Sequence, residues 1–367
     1  MNKKINVGIL FGGKSAEHEV SLQSAKNVFD AIDREKYNPI LIGIDKSGRW
    51  LLNRGADFLL NADDPRRIRL NTSSDSVALI PRSGGVISNL TTHKEDTAVD
   101  VIFPILHGPF GEDGTVQGLL KLADIPFVGA GVLGAAVGMD KDVMKRLLRD
   151  GGLPIGKFLV LCSHETPLPY KTVTDQLGLP LFIKPANMGS SVGVSKIHNE
   201  GEYRAAVAEA FEYDTKIVIE EFIQGRELEC SVLGNEEPAA SLPGEVISTH
   251  EFYSYDAKYL DENGAALEIP AKLPAAQVSE IQALAIKTFR VLSCEGLARV
   301  DFFLKDSGGF IVNEINTLPG FTTISMYPKL WETSGISYTV LIDKLIELAL
   351  RRYDKEKKLK TSCPAIQ

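Results

Sequence analysis

The chain has little to tie it to an oxidising compartment, a membrane or a nucleic acid. Its 367 residues include four cysteines, Cys162, Cys230, Cys294 and Cys363, scattered with no CxxC pair. That spacing argues against a disulfide framework and a zinc cluster and fits free thiols in a reducing compartment. No stretch approaches the roughly 20 apolar residues of a membrane-spanning helix. The apolar run at residues 7–11 follows Lys3 and Lys4, but it is too short for a secretory signal and meets Gly12-Gly13. Charge is tilted to the negative as well: 48 Asp and Glu against 40 Lys and Arg, a net −8, argue weakly against a nucleic acid as the main partner, although local basic residues could serve a nucleotide. The chain also lacks low-complexity tracts and internal repeats. It is expected to be cytoplasmic, with neither membrane nor nucleic acid as partner.

What is there reads as an ordinary globular protein, 44% hydrophobic and 24% charged, long enough for two or three domains. Apolar runs at residues 5–11, 39–45, 99–106 and 125–128 predict strands. Helical patterns at 21–34 and 115–123 lie between them, the rhythm of a parallel, doubly wound sheet. Residues 54–95 are polar and irregular and are expected to be loops. A helix is predicted over 140–150, ended by Gly151-Gly152, then strands at 158–161, 181–184, 192–197 and 216–221 with a helix at 200–211. The last third carries β-rich segments at 227–233 and 297–316 around a helix at 275–292. A closing amphipathic helix, 338–353, is expected to be capped by Ser337. The fold class is α/β, α+β overall.

One motif is a decoy. Residues 8–15, GILFGGKS, match the phosphate-loop pattern G-x-x-x-x-G-K-[ST]. Ile9, Leu10 and Phe11 continue the first strand, so only Gly12-Gly13 can form a loop, whereas phosphate wrapping needs the whole segment.

The strongest chemical signal lies in residues 297–316. Two alternating runs flank Asp306-Ser307-Gly308-Gly309, turn chemistry of hairpin length. With Lys305 opposite Phe310, Asp301 faces Glu314 and Arg299 faces Asn316, all on one side, while Ala298, Val300, Phe302 and Leu304 form the core face. Carboxylates directly opposite each other repel. A divalent cation with oxygen ligands, magnesium above all, removes that repulsion; solvated carboxylates, or an Arg299–Asp301 ion pair, would also satisfy it.

Other segments carry weaker signals. Lys184-Pro185 precedes Asn187-Met188-Gly189-Ser190-Ser191-Val192-Gly193, where small residues let amides and hydroxyls approach a phosphate. Residues 107–114, HGPFGEDG, follow an apolar strand and offer His107, Glu112 and Asp113. Glu17 follows the first strand, where an acid could hold a ligand amine or merely favour a helix start. The strand ending at Glu220-Glu221 presents an edge whose backbone could bond a base, with Glu227 downstream for a ribose.

Taken together, the strings GGKSAEHEVSL, HGPFGEDGTVQG, KPANMGSSVGVSK, FYSYDAKY, ARVDFF and NEINTLPGFTTISMYPKL resemble the D-alanine–D-alanine ligases of the ATP-grasp superfamily. The resemblance implies a parallel-sheet substrate domain, residues 1–129, followed by a two-part ATP-grasp fold, residues 130–222 and 223–367. It also implies ATP and two Mg²⁺ ions, with Mn²⁺ as a substitute, and two D-alanines per turnover in a homodimer. Lys141, Lys184 and Lys258 would contact the nucleotide, with Glu220, Phe222 and Ile223 around the adenine and Glu227 on the ribose. Asp301, Glu314 and Asn316 would bind the metal. Glu17, through Ser190 and Tyr259, would anchor the first D-alanine amine, His107 and Glu112 would line its pocket, and Ser325 would receive the second carboxylate. Arg299 and the backbone of Gly320 would stabilise the oxyanion. The loop at 252–259 would close over the site, and Tyr259 favours an amine over a lactate acceptor. Glu221 departs from the pattern, standing where a lysine often sits beside the adenine. The alternative is a D-alanine–D-lactate ligase or another ATP-grasp carboxylate–amine ligase.

Overall fold

Side-chain alternation decides how the first sheet is covered. In β1 (Ile5–Gly12), Val7, Ile9 and Phe11 enter one core and Leu10 enters another, all completely buried. A strand buried on both faces reads as one apolar run. The structure, a computed structural model, describes residues 3–361 apart from 54–57, 63, 65–66, 93–96 and 249–264.

The first body continues with β2 (Tyr37–Ile44), β3 (Trp50–Asn53), β4 (Leu59–Leu60), β5 (Arg69–Leu70), β6 (Asp75–Leu79), β7 (Val86–Asn89), β8 (Thr97–Ala98) and β9 (Val101–Ile105). The sheet order is β8-β7-β6-β3-β2-β1-β9, with β4 and β5 forming a separate pair. Only β2-β1-β9 run parallel, as the sequence led us to expect. The stretch expected to be loops instead supplies β6 and β7, which with β3 before it extend the sheet antiparallel. Its strands are short, and Asp75, Ser76, Ser88 and Asn89 dilute the apolar alternation of Val77, Leu79 and Ile87. Residues 125–128, expected to be a strand, contribute a single parallel bridge, Phe127 to Ile102.

The helices are α1 (His18–Ala31), α2 (Thr115–Leu122), α3 (Val132–Met139), α4 (Lys141–Asp150), α5 (Tyr170–Leu177), α6 (Glu200–Ala210), α7 (Ala275–Val291), α8 (Met326–Thr333) and α9 (Tyr338–Glu356). α2 covers the Leu10 face of the first sheet. α1 covers the other face, and so does α9: Leu341, Ile342, Leu345 and Ile346 pack with Val7, Ile9 and Phe11. The last helix of the chain is thus part of the first core. Ser337 precedes it but makes no side-chain capping bond, contrary to expectation. Asp140 does cap α4, accepting from the amides of Asp142 and Val143 at 3.1 Å each.

The second sheet, β10 (Phe158–Cys162), β13 (Lys216–Glu221), β11 (Leu181–Pro185) and β12 (Ser195–Ile197) in that order, packs against α5 and α6. The third sheet is antiparallel: β17 (Ala265–Glu268), β16 (Gly244–Ser248), β14 (Gly225–Gly234), β18 (Gly296–Lys305) and β19 (Phe310–Asn316), with β15 (Ala239–Ala240) beside β14. Ile281, Ala285 and Phe289 of α7 and Met144 and Leu148 of α4 cover its apolar face, which includes Ala298, Val300, Phe302 and Leu304.

Candidate active site

The polar face of the β18–β19 hairpin depends on a single irregularity. Leu304, not the expected Lys305, pairs with Phe310, because Lys305 belongs to the turn and accepts from the Gly308 amide at 2.8 Å. Continued unchanged, that register would set Asp301 opposite Asn313. A bulge at Asp301/Phe302 absorbs Asn313 as an extra residue, and the pairs Asp301–Glu314 and Arg299–Asn316 are recovered.

Charge balances tightly on this face. Arg299 grips Asp301 with both arms of its fork, Nε and Nη2 each at 2.7 Å from a carboxylate oxygen. Its Nε also lies 2.9 Å from Glu229, the cross-strand neighbour of Asp301 on β14. Burial works against the guanidinium charge, and Asp301 and Glu229 outweigh it. The ion pair that competed with the metal in the sequence is therefore real. It does not use up Asp301, since a carboxylate has about four lone-pair directions. Three oxygen donors, Asp301, Glu314 and Asn316, line the same cavity, and oxygen donors of this kind suit Mg²⁺.

Lys141 faces this hairpin across the cavity, with two more lysines near it. Lys141, the first residue of α4, places Nζ 3.7 Å from Glu314 and donates to the Met188 carbonyl at 2.6 Å. Lys145 lies one turn along, and Lys184 sits on β11. Glu220 joins the last two, at 3.2 Å from Lys145 and 2.7 Å from Lys184. Burial pushes the Lys141 and Lys145 ammoniums below their ordinary range. At Lys184 burial acts in the same direction, but Glu220 outweighs it and holds the ammonium above that range.

Glu17 sits at the N-terminal boundary of α1, and its carboxylate accepts from the Ser190 hydroxyl. Ser190 and Ser191 adopt left-handed φ of 51° and 62°, a strained backbone of the kind found where geometry serves a site. Gly108 is required here too: its φ is +75°, and a Cβ would come within 3.1 Å of Glu17 Oε2. Glu112 accepts from the Gly108 amide at 2.7 Å. Burial, with the charge of Glu17 adding to it, pushes the Glu112 carboxyl up to about 8.

Most of these groups converge on one cavity of about 610 Å³, with Lys145, Lys184 and Glu220 outside its lining. Its lining includes Glu17, His107, Glu112, Lys141, Ser190, Glu227, Arg299, Asp301, Glu314, Asn316, Gly320 and Ser325, drawn from all three bodies. Lys184, Glu220, Phe222 and Ile223 lie outside that lining. Glu220 belongs to a central strand, paired with Phe158 on one side and Phe182 on the other. The edge expected there is instead the connection 222–224, which lies outside both ladders. The Phe222 ring packs near Phe182, with Lys196 Nζ 4.7 Å from its centre. Lys258 and Tyr259 lie outside the described residues.

With this geometry in view, comparison with known proteins decides the family. Residues 6–130 match the family model "D-ala D-ala ligase N-terminus", and residues 147–347 match "D-ala D-ala ligase C-terminus". The chain belongs to the D-alanine–D-alanine ligase family. It is 55% identical over 365 residues to a D-alanine–D-alanine ligase of Oceanobacillus iheyensis, covering 99% of each chain. It is 52% identical over 362 residues to D-alanine–D-alanine ligase A of Escherichia coli K12, covering 98% of this chain and 100% of the relative. Among solved structures, the Coxiella burnetii D-alanine–D-alanine ligase superposes with a TM-score of 0.84 at 38% identity, covering 97% of this chain and 96% of its own. The VanG D-Ala:D-Ser ligase of Enterococcus faecalis gives 0.83 at 36% identity, covering 95% and 100%. The ATP-grasp fold read from the sequence is the family's fold. No helix among the described residues is long and apolar enough to cross a membrane.

Sequence reasoning missed Glu229, which lines the cavity, and Lys145, which pairs with Glu220 outside its lining. Lys145 repeats Lys141 one helical turn later, and that spacing alone could have paired them. Glu229 lies two residues beyond Glu227 on one strand, so both share a face.

Proposed function

We propose that this family member joins two D-alanines into D-alanyl-D-alanine, consuming ATP, to supply a peptidoglycan precursor. The observation that carries this reading is the cavity in which an amine anchor, Glu17–Ser190, meets the Arg299–Asp301–Glu314 cluster. Glu17 takes the ammonium of the first D-alanine, beside His107 and Glu112. Lys141 and Lys184 take the nucleotide phosphates, with Lys258 assisting. Residues 220–223 surround the adenine, and Glu227 takes the ribose. Asp301, Glu314 and Asn316 would hold Mg²⁺, two ions in this reading, with Mn²⁺ able to replace them. The metal, when bound, neutralises charge on the transferring phosphoryl group.

The first carboxylate attacks the γ-phosphorus, and ADP leaves. The amine of the second D-alanine, its carboxylate on Ser325, then attacks the acylphosphate carbon. Arg299 and the Gly320 amide stabilise the oxyanion. Phosphate departs, and the nitrogen gives up a proton as the amide forms. In the same reading, the loop at 252–259 excludes water and Tyr259 serves the amine acceptor. The working bodies are residues 1–129, 130–222 and 223–367, in a cytoplasmic homodimer that light scattering tests.

The test is phosphate release with ATP, Mg²⁺ and D-alanine, set against D-lactate, D-serine and L-alanine as acceptors. Absence of turnover with D-alanine refutes the reading. Asp301→Asn and Glu314→Gln should each abolish ligation, and near-parental rates in either variant would remove the metal role.

A further inference from the structure

The turn that presents Gly320 is gripped from α1 by Ser24 and Asn27, to which no role has been given. Phe321, next to Gly320, is a buried anchor whose ring meets Phe103 edge-on at 5.8 Å and Tyr338 at 5.9 Å. Its amide donates to Ser24 Oγ at 3.1 Å, and its carbonyl accepts from Asn27 Nδ2 at 3.0 Å and from Tyr338 OH at 2.6 Å. Three residues earlier, the Leu318 carbonyl lies 3.0 Å from His107 Nδ1. His107 Nε2 lies 3.4 Å from Ser24 Oγ, which closes the circuit.

The donors and acceptors of that circuit are all matched when the His107 ring is neutral. The Leu318 carbonyl can only accept, so His107 Nδ1 carries the proton and Nε2 is an acceptor. Ser24 therefore donates to Nε2 while accepting from the Phe321 amide. Burial pushes the His107 imidazolium below its ordinary range and so favours the neutral ring. Both ends of the Leu318-Pro319-Gly320-Phe321 turn are thereby fixed through one hydroxyl of α1.

The same helix carries the amine anchor at its start. Glu17, Ser21, Ser24 and Val28 recur at the three- and four-residue steps of one helical face. Ser21 secures that face to the first sheet, donating to the Ile105 carbonyl and accepting from the Gly12 amide at 2.7 Å. We infer that Ser24 and Asn27 are positioning residues: through α1 they set the Gly320 amide at a fixed distance from Glu17, and so align the oxyanion donor with the anchored substrate. This rests on the ligase reading, in which Glu17 binds the first amine and Gly320 meets the oxyanion.

The two readings fail separately. No turnover by the parent refutes the ligase reading, whereas the positioning role is read from variants of an active parent. In Ser24→Ala the Phe321 amide and His107 lose their shared partner, and in Asn27→Asp a donor becomes an isosteric acceptor facing the Phe321 carbonyl. An interaction made only in the transition state changes kcat rather than ground-state binding. Each variant should therefore lower kcat about tenfold or more while the KM for the first D-alanine stays within about twofold. Asn27→Gln, which keeps the amide donor, should recover part of the loss that Asn27→Asp shows. Parental kcat in folded Ser24→Ala and Asn27→Asp overturns the proposal, as does a loss carried entirely by first-site KM. A kcat loss accounted for by a smaller folded fraction in thermal melts overturns it as well.

Discussion

Replacing Glu220 with glutamine tests how the buried pair Lys145 and Lys184 is held together. The carboxylate bridges Lys145 and Lys184 at 3.2 and 2.7 Å, and all three side chains are at least 89% buried. The amide is nearly isosteric, so packing changes little, but two buried ammoniums lose their counter-charge. Breaking a buried pair in this way costs about 3–5 kcal/mol. An independent ceiling agrees: one lysine can escape by deprotonating, which at pH 7 costs roughly 4.6 kcal/mol from its ordinary value. Local openings of the second sheet should then rise by roughly two to three orders of magnitude. Hydrogen exchange of β11 and β13 amides reads this directly, with the separately packed β14–β18 ladder as internal reference. The pH window also follows. Burial tends to raise the Glu220 carboxyl, and Lys145 and Lys184 outweigh it, leaving it below its ordinary 4.5. A depressed carboxyl stabilises fully above its unfolded value and loses that contribution as pH falls through the folded one. Parental protection should therefore collapse only in acid, below about 4.5, whereas the variant is already open at pH 7. Protection within about threefold of the parent at pH 7 would refute the argument.

Gly320→Ala places a Cβ 2.7 Å from Ser325 Oγ, which is held by the Thr322 amide at 2.9 Å. The displaced hydroxyl should raise KM for the second D-alanine about tenfold, and an unchanged KM would contradict Ser325 as its anchor. Glu112, raised to about 8 chiefly by burial, contributes stability that is complete below about 4.5 and lost as pH rises through 8. Melts of the parent should accordingly fall between pH 5.5 and 8.5 relative to Glu112→Gln; parallel profiles would refute the shift. Arg352 donates to the Phe127 and Gly129 carbonyls at 2.8 and 2.5 Å, tying α9 to the first body. Arg352→Met should cost about 3 kcal/mol and lower the melting temperature by several degrees, and a shift under about one degree would show that the tie is dispensable.

The sequence by itself determined the chemistry of the hairpin and the character of most elements. That Asp301 and Glu314 lie on the two strands of one hairpin follows from side-chain period and turn chemistry, because both are local rules. So does the rejection of GILFGGKS, since three of its residues had to be strand. Tertiary structure decided what depends on partners distant in the chain. The pairing of Asp301 with Glu314 survives only because a bulge absorbs Asn313 and offsets a turn one residue longer than expected. Which strand is an edge is settled by its neighbours: the strand ending at Glu220-Glu221, expected to present an edge, is paired on both sides, and Glu220 bridges two lysines. The amphipathic stripe of α9 declared a buried face but could not say whose, and it lies against the first strand of the chain. Periodicity reports that a surface must be buried, whereas the partner that buries it is a property of the whole fold.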